Sequence, residues 1–239
     1  MKNSNKDANL KEKLRQALAS TVRVISDDIE NKDKRNEDKS SKKFDFFEID
    51  NLNSKSDFIK ARAESDSSAL KKKFSNNEIY KKNLPLNSSC RSLYSIAEKI
   101  RYETLGGKML KGIEKNLKDN YNQKISFRRK DQIKNKEDVP IVEAFELYLL
   151  KKFLKVNLNP TTNKMLHFWE KDFDQVVDKH MKFLKENLED QSKYSYKFSK
   201  ILREMDIFQT DENENTKEDN QSDEQANPSN EDQKDDAED

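Results

Sequence analysis

The chain has 239 residues, of which 32% are hydrophobic and 39% charged, with 47 Lys/Arg against 46 Asp/Glu. That length allows one medium domain or two small ones, and the single Cys90 excludes an internal disulfide and fits a reducing compartment. No apolar run approaches the roughly 18 residues of a membrane helix, and MKNSNKDANLKEKL lacks the apolar stretch of a signal peptide, so a cytoplasmic protein with no membrane partner is expected.

Leu10, Leu14, Ala17, Leu18, Val22 and Ile25 recur at helical spacing and predict a first amphipathic helix. Residues 27–43 are charged and Ser-rich, a loop. In FDFFEID, residues 44–50, Phe44, Phe46 and Ile49 suggest a short strand. A second helix is expected from Phe58 to Phe74. A long third one should start at a Ser88 or Ser89 cap and run to Tyr121. Its two stripes (Leu93, Ile96, Ala97, Ile100; then Tyr102, Leu105, Met109, Ile113, Leu117) place it between neighbours rather than at an edge.

All three glycines of the chain, Gly106, Gly107 and Gly112, fall within that long helix. Each costs about 0.5–1 kcal/mol relative to alanine there. Gly107 and Gly112 lie about 140° apart at 100° per residue. The three therefore predict close approach by two different elements, inside the domain or from another subunit. Arg101 and Glu103, in the same apolar stretch, should be buried or half-buried with polar partners elsewhere.

Residues 122–137 read as a polar, basic connection. Asp138-Val139-Pro140 opens a core helix that is apolar almost all round, from Ile141 to Leu154. Asn159-Pro160 opens another, striped by Leu166, Trp169, Phe173, Val177, His180 and Leu184. A last helix carries Tyr194, Phe198, Ile201, Leu202 and Met205. From Asp211 to Asp239 there are 13 Asp/Glu and two Lys, a net of −11; the whole chain is +1, so residues 1–210 carry +12. The fold class is mainly α: five to six helices, with an N-terminal helix and variable loop over 1–55, a helical domain over 56–206, and an acidic tail over 207–239 too polar to order.

Common catalytic signatures are absent from the sequence. Gly106-Gly107-Lys108 lacks the first glycine and the strand of a phosphate loop. No cysteine pair offers a zinc site. His167 and Glu170 sit one helical turn apart, a spacing that can supply two metal ligands. His180 lies thirteen residues beyond His167 on the apolar stripe, where a core histidine is the simpler reading. Glu189-Asp190 is one of many carboxylate pairs, and Asp190 suits a helix cap. Cys90 has no activating His nearby in sequence, so a buried thiol is expected. The basic body admits a nucleic-acid-binding helical protein, although lysines spread along every segment read more simply as solvated faces.

The glycine-bearing stretch also carries a resemblance. Glu98-Lys99-Ile100-Arg101-Tyr102-Glu103-Thr104-Leu105-Gly106, followed by Gly112-Ile113-Glu114-Lys115-Asn116-Leu117, resembles the N-terminal region of the CobT-type subunit of aerobic cobaltochelatase, with its R-x-E-x-x-G and G-[VI]-x-x-N-L elements. Ala63, Asp66, Ala69 and Leu70 fit the upstream segment, Asp138-Val139-Pro140-Ile141 a helix opening, Trp169 a lone tryptophan, and Glu189, Asp190 and Gln191 an E-D-Q motif. The likeness runs over residues 56–206, with only a loose match before. It implies a non-catalytic scaffold in a ligase that forms nitrogen–metal bonds. That enzyme inserts cobalt into hydrogenobyrinic acid a,c-diamide at the expense of ATP-Mg in cobalamin biosynthesis. The implied partners are an AAA+ ATPase subunit and a large corrinoid-binding subunit, with a homo-oligomer compatible. No cofactor or metal is expected on this chain itself; cobalt and ATP-Mg would be handled by the other subunits. The resemblance also implies a later A-type domain with a D-x-S-x-S motif. Asp66-Ser67-Ser68-Ala69 has the wrong spacing for it, so that module is expected to be absent, the chain being a fragment or a split gene product. An AAA+-associated adaptor for another client is the alternative within the resemblance.

Overall fold

The computed structural model describes residues 2–26, 54–126 and 133–205. The predicted strand at FDFFEID, the loop 27–43 and the acidic tail lie outside the described residues. Among the described residues there is no strand, and the elements are helical as the apolar periodicity predicts.

The elements are α1 (Lys2–Ile25), α2 (Lys55–Phe74), α3 (Asn77–Lys82), α4 (Ser88–Met109), α5 (Lys111–Ser126), α6 (Ile141–Leu149), α7 (Pro160–Val177), α8 (Met181–Glu186) and α9 (Gln191–Arg203). Local chemistry accounts for many of the boundaries. Ser54 and Asp57 close a capping box at α2, and the Asn76 side chain accepts from Glu78 and Ile79 N–H at α3. Asn87, rather than Ser88 or Ser89, caps α4 by accepting from Cys90 N–H. Asn159 caps α7 ahead of Pro160, as its sequence predicts, and its amide also donates to the Ile125 carbonyl at 3.0 Å.

The long third helix is two helices. Leu110 is extended (φ −139°, ψ 121°) and separates α4 from α5. Gly106 and Gly107 therefore lie in the last turn of α4 and Gly112 in the first turn of α5. The polar connection is also shorter than expected, because α5 continues to Ser126. Likewise the helix after Pro160 ends at Val177. A 3-10 turn, Asp178–His180, then leads into α8, which holds Leu184. The end of α6 widens into a π turn, Leu150–Leu154, closed by Lys155 in the left-handed region (φ 53°).

The main core packs α4, α6, α7 and α9 around Tyr94, Phe145, Tyr148, Phe173, Tyr194 and Phe198, all fully buried. Phe145 meets Phe173 and Phe198 edge-on, with centroids 5.2 and 6.1 Å apart. α4 is in contact with α2, α5, α6 and α9, the central position its double stripe predicts. A smaller cluster (Val22, Ile25, Ala63, Leu70, Ile113 and Leu117 among its members) joins α1, α2 and α5.

Candidate functional site

α4 is where polar groups enter the core. Arg101 is 0% exposed. Its Nε donates to Glu98 Oε2 at 3.2 Å, and its two terminal nitrogens donate to the Leu188 carbonyl at 3.0 Å and the Phe74 carbonyl at 2.6 Å. A guanidinium fork suits this, because three acceptors in fixed directions need a planar donor. Glu98, itself buried, further accepts from Gln191 Nε2 at 3.2 Å and from the Ser195 hydroxyl. Gln191 Oε1 accepts the Asn76 N–H at 2.6 Å. One ion pair and one carboxamide thus tie α4 to α9, to the end of α2 and to the start of α3, and the buried charges are compensated.

Two residues on, Glu103 forms a second buried network. The Ser67 hydroxyl donates to one oxygen and the Tyr121 hydroxyl to the other, each at 2.6 Å, linking α2, α4 and α5. Burial pushes the Glu103 carboxyl above its ordinary value, against the pull of nearby Lys99 and the two donated hydrogen bonds. Burial also raises Tyr121, helped by the Glu103 charge, so its hydroxyl stays a donor. Nearer the surface, Asn116 Nδ2 donates to Asp66 Oδ2 at 2.7 Å. Burial raises Asp66, opposed by that bond and by Arg62.

The glycines divide. A methyl at Gly106 would come within 2.9 Å of Leu70 Cγ and closer still to both its methyls, so α2 packs on the backbone there. Gly107 faces Glu114 of α5 at 3.5 Å, an ordinary contact, and Gly112 has nothing within 4 Å. Close approach therefore holds for Gly106 alone. Trp169 is half-buried; its Nε1 donates to the Val139 carbonyl at 3.1 Å, its ring stacks on Phe173, and Lys136 Nζ sits 4.2 Å from the ring centre. Asp190 caps α9 by accepting from Lys193 N–H at 3.0 Å, and this bond holds its carboxyl below the ordinary value.

The structure does not gather a catalytic set from the other candidates. His167 is exposed, and Glu170 pairs with Lys151 at 2.7 Å. His180 is not a core histidine: it sits half-buried in the 3-10 turn, and burial together with Lys197 and Lys179 lowers its pKa. Glu189 is exposed beside the capping Asp190, while Cys90 is buried and its thiol points to the Leu202 carbonyl. Among the described residues no three His, Cys, Asp or Glu converge on a metal position, and no helix is long and apolar enough to cross a membrane.

Two surface depressions flank α4. A cleft of about 810 Å³ between the end of α2, α3 and α4 is lined by Lys71, Lys72, Asn77, Lys99 and Tyr102. A groove of about 680 Å³ between α1, α2 and the start of α5 is lined by Leu14, Val24, Phe58, Leu110, Gly112 and Asn116. Glu98, Ser195, Ser67 and Tyr121, which complete the buried networks, carried no distinct sequence signal. The i,i+3 spacing of Glu98 and Arg101 was the one available hint.

Arg101, Glu103 and Gly106 are thus structural joints, whereas Gly112 and Asn116 border the open groove. No solved structure matches the chain. A family model described as cobalamin biosynthesis protein CobT matches residues 8–239, well beyond the 56–206 spanned by the motifs. The chain belongs to the CobT family of cobalamin biosynthesis proteins.

Proposed function

We propose that this chain is a scaffold subunit of cobaltochelatase, the ligase that forms the nitrogen–metal bonds of cobalamin. It would support ATP-dependent insertion of cobalt, as substrate, into hydrogenobyrinic acid a,c-diamide in the cytoplasm. Its partners on this reading are an AAA+ ATPase subunit and a large corrinoid-binding subunit. ATP-Mg and cobalt are handled by those partners rather than by residues of this chain.

The observation that carries the reading is the family match over residues 8–239. The chemistry of α4 supports it. Arg101, Glu103 and Gln191 commit their polar groups to neighbouring elements of the same fold, as a rigid platform requires. Gly112 and Asn116 instead lie along an open groove, where a second protein can reach them.

The test is reconstitution of the chain with an AAA+ ATPase and a large subunit, read by cobalt insertion and by pull-down. Gly112→Leu adds a side chain into open space. We expect its melting temperature to stay within a few degrees of wild type while ATPase capture falls several-fold. Capture of the ATPase without cobalt insertion in the full mixture would favour an adaptor for another client.

A further inference from the structure

We propose that the groove between α1, α2 and the start of α5 takes one amphipathic helix of a partner protein, apolar along a four-three spacing and acidic on its flanks. α1 carries two apolar stripes. Leu18, Val22 and Ile25 are buried in the small clusters that join it to α2 and α5. Leu10, Leu14, Ala17, Thr21 and Val24 make the other, within an arc of about 80° at 100° per residue. All of these but Leu10 line the groove, and Leu10 and Val24 are 65% and 62% exposed. Steps of four and three residues keep a seam turned toward a second helix, so the period itself names the shape of the occupant. The opposite wall supplies Phe58 and Leu110, and a methyl at Gly112 would meet no atom within 4 Å, which leaves room for an incoming side chain. An exposed apolar strip facing such a wall is what a docked helix covers.

Charge selects the flanks of that helix. Of residues 9–26, Lys13 alone is charged within the arc of α1 that lines the groove. On α5, Lys115 stands beside Asn116, about 60° around the helix from Gly112. Both lysines are exposed, and neither has an acidic partner among the described residues. The nearby acids are engaged: Asp66 accepts from Asn116 and faces Arg62, while Glu114 holds Lys111 and Lys118. Arg62 in turn lies over the Phe58 ring. The groove thus has an ammonium on each long edge and no free carboxylate among its lining residues, which favours Asp/Glu on the flanks of the bound helix and disfavours Lys/Arg. A second copy of α1 is the poorer occupant, because residues 9–26 hold four Lys/Arg and one Glu, +3 facing +3. This inference rests on the docking reading of the groove, and peptide binding tests it without the ATPase or cobalt insertion.

The experiment titrates the full chain into labelled synthetic peptides of about three heptads, read by fluorescence anisotropy. One peptide has Leu at the seam positions and Glu on the flanks, a second has Lys in place of Glu, and a third scrambles the Leu spacing of the first. The acidic peptide should bind at least about tenfold more tightly than either of the others. Val24→Glu and Gly112→Leu change exposed positions and leave the packed stripe of α1 intact. Each should weaken binding of the acidic peptide about tenfold, with a melting temperature within a few degrees of wild type. Lys13→Glu combined with Lys115→Glu should reverse the preference between the Glu and Lys peptides. Equal binding of those two peptides to the wild-type chain, or binding indifferent to both Val24→Glu and Gly112→Leu, would overturn the proposal. So would sedimentation showing the chain alone to be a dimer that Val24→Glu dissociates, since a second copy would then be the occupant.

Discussion

A methyl placed on Gly106 must push aside Leu70, a side chain that is itself 0% exposed. Gly106→Ala should therefore destabilise the protein by about 1–3 kcal/mol, the usual cost of overpacking. At Gly112 the same methyl meets nothing, and Gly112→Ala should gain up to about 0.5–1 kcal/mol from helix propensity. Thermal melts of the two variants decide; equal shifts would remove the close-packing explanation. Glu103 offers a test by pH. Its folded pKa is raised above the unfolded value of about 4.3 by burial. The folded state therefore holds the proton more tightly than the unfolded one. The stability this contributes is full below pH 4.3 and is lost as pH rises through the folded pKa. Glu103→Gln keeps an acceptor and a donor near Ser67 and Tyr121 but cannot titrate. Urea titrations across pH 4 to 8 should show the variant gaining on wild type as pH rises. A constant difference would mean that Glu103 is ionised freely in the fold. Glu103→Ala, which strips both hydroxyls of their acceptor, should cost about 1–3 kcal/mol near pH 4, and that cost should shrink as pH rises because alanine does not titrate either.

Caps and interruptions act at the level of the element. Asn159 ties the end of one helix to the start of another: its side-chain oxygen takes the Thr162 N–H at 2.9 Å while its side-chain amide donates to the Ile125 carbonyl in the last turn of α5. Asn159→Ala should cost about 1–2 kcal/mol, whereas Asn159→Asp, which keeps the cap and loses the α5 contact, should cost less. Chemical denaturation of both variants checks the order; the reverse order would place the weight on the Ile125 bond. The Asn159-Pro160 start was legible because a capping residue and a helix-compatible proline act locally. The stripes of α1, α4, α7 and α9 were legible for a similar reason, since burial follows a 3.6-residue period. The break at Leu110 was not. No proline marks it, and it is made by α5 turning to pack on α2, a decision of tertiary contacts. The π turn ending at Lys155 was equally silent, because a lysine stands where glycine would have announced the left-handed residue. Charged side chains hid the polar networks too. The apolar stretch around Arg101 and Glu103 placed them inside, but that Glu98 and Ser195 are partners follows only from packing against α9.

Across the whole molecule the two cores are unequal. The larger one holds α4, α6, α7 and α9 together with interlocked aromatic rings, and Arg101 and Gln191 lock α2 and α3 to it. α1 shares none of this. It rests on α2 through Leu18 against Ala61, and through Val22 and Ile25 in the smaller cluster, while Leu10 and Val24 remain 65% and 62% exposed. Few buried side chains mean little apolar area withdrawn from water, at about 25 cal/mol per Å². The opening of α1 should then require less free energy than global unfolding. Native-state hydrogen exchange is expected to show amides of Leu18 to Ile25 exchanging at least about tenfold faster than those of Leu93 to Ile100. Val22→Ala should widen that gap, because it removes apolar contact from the small cluster while leaving the aromatic core intact. If α1 and α4 exchange together, at one free energy in wild type and variant alike, then α1 belongs to the same cooperative unit. The groove beside Gly112, which α1 helps to wall, would in that case be a fixed feature of the fold rather than one that opens with α1.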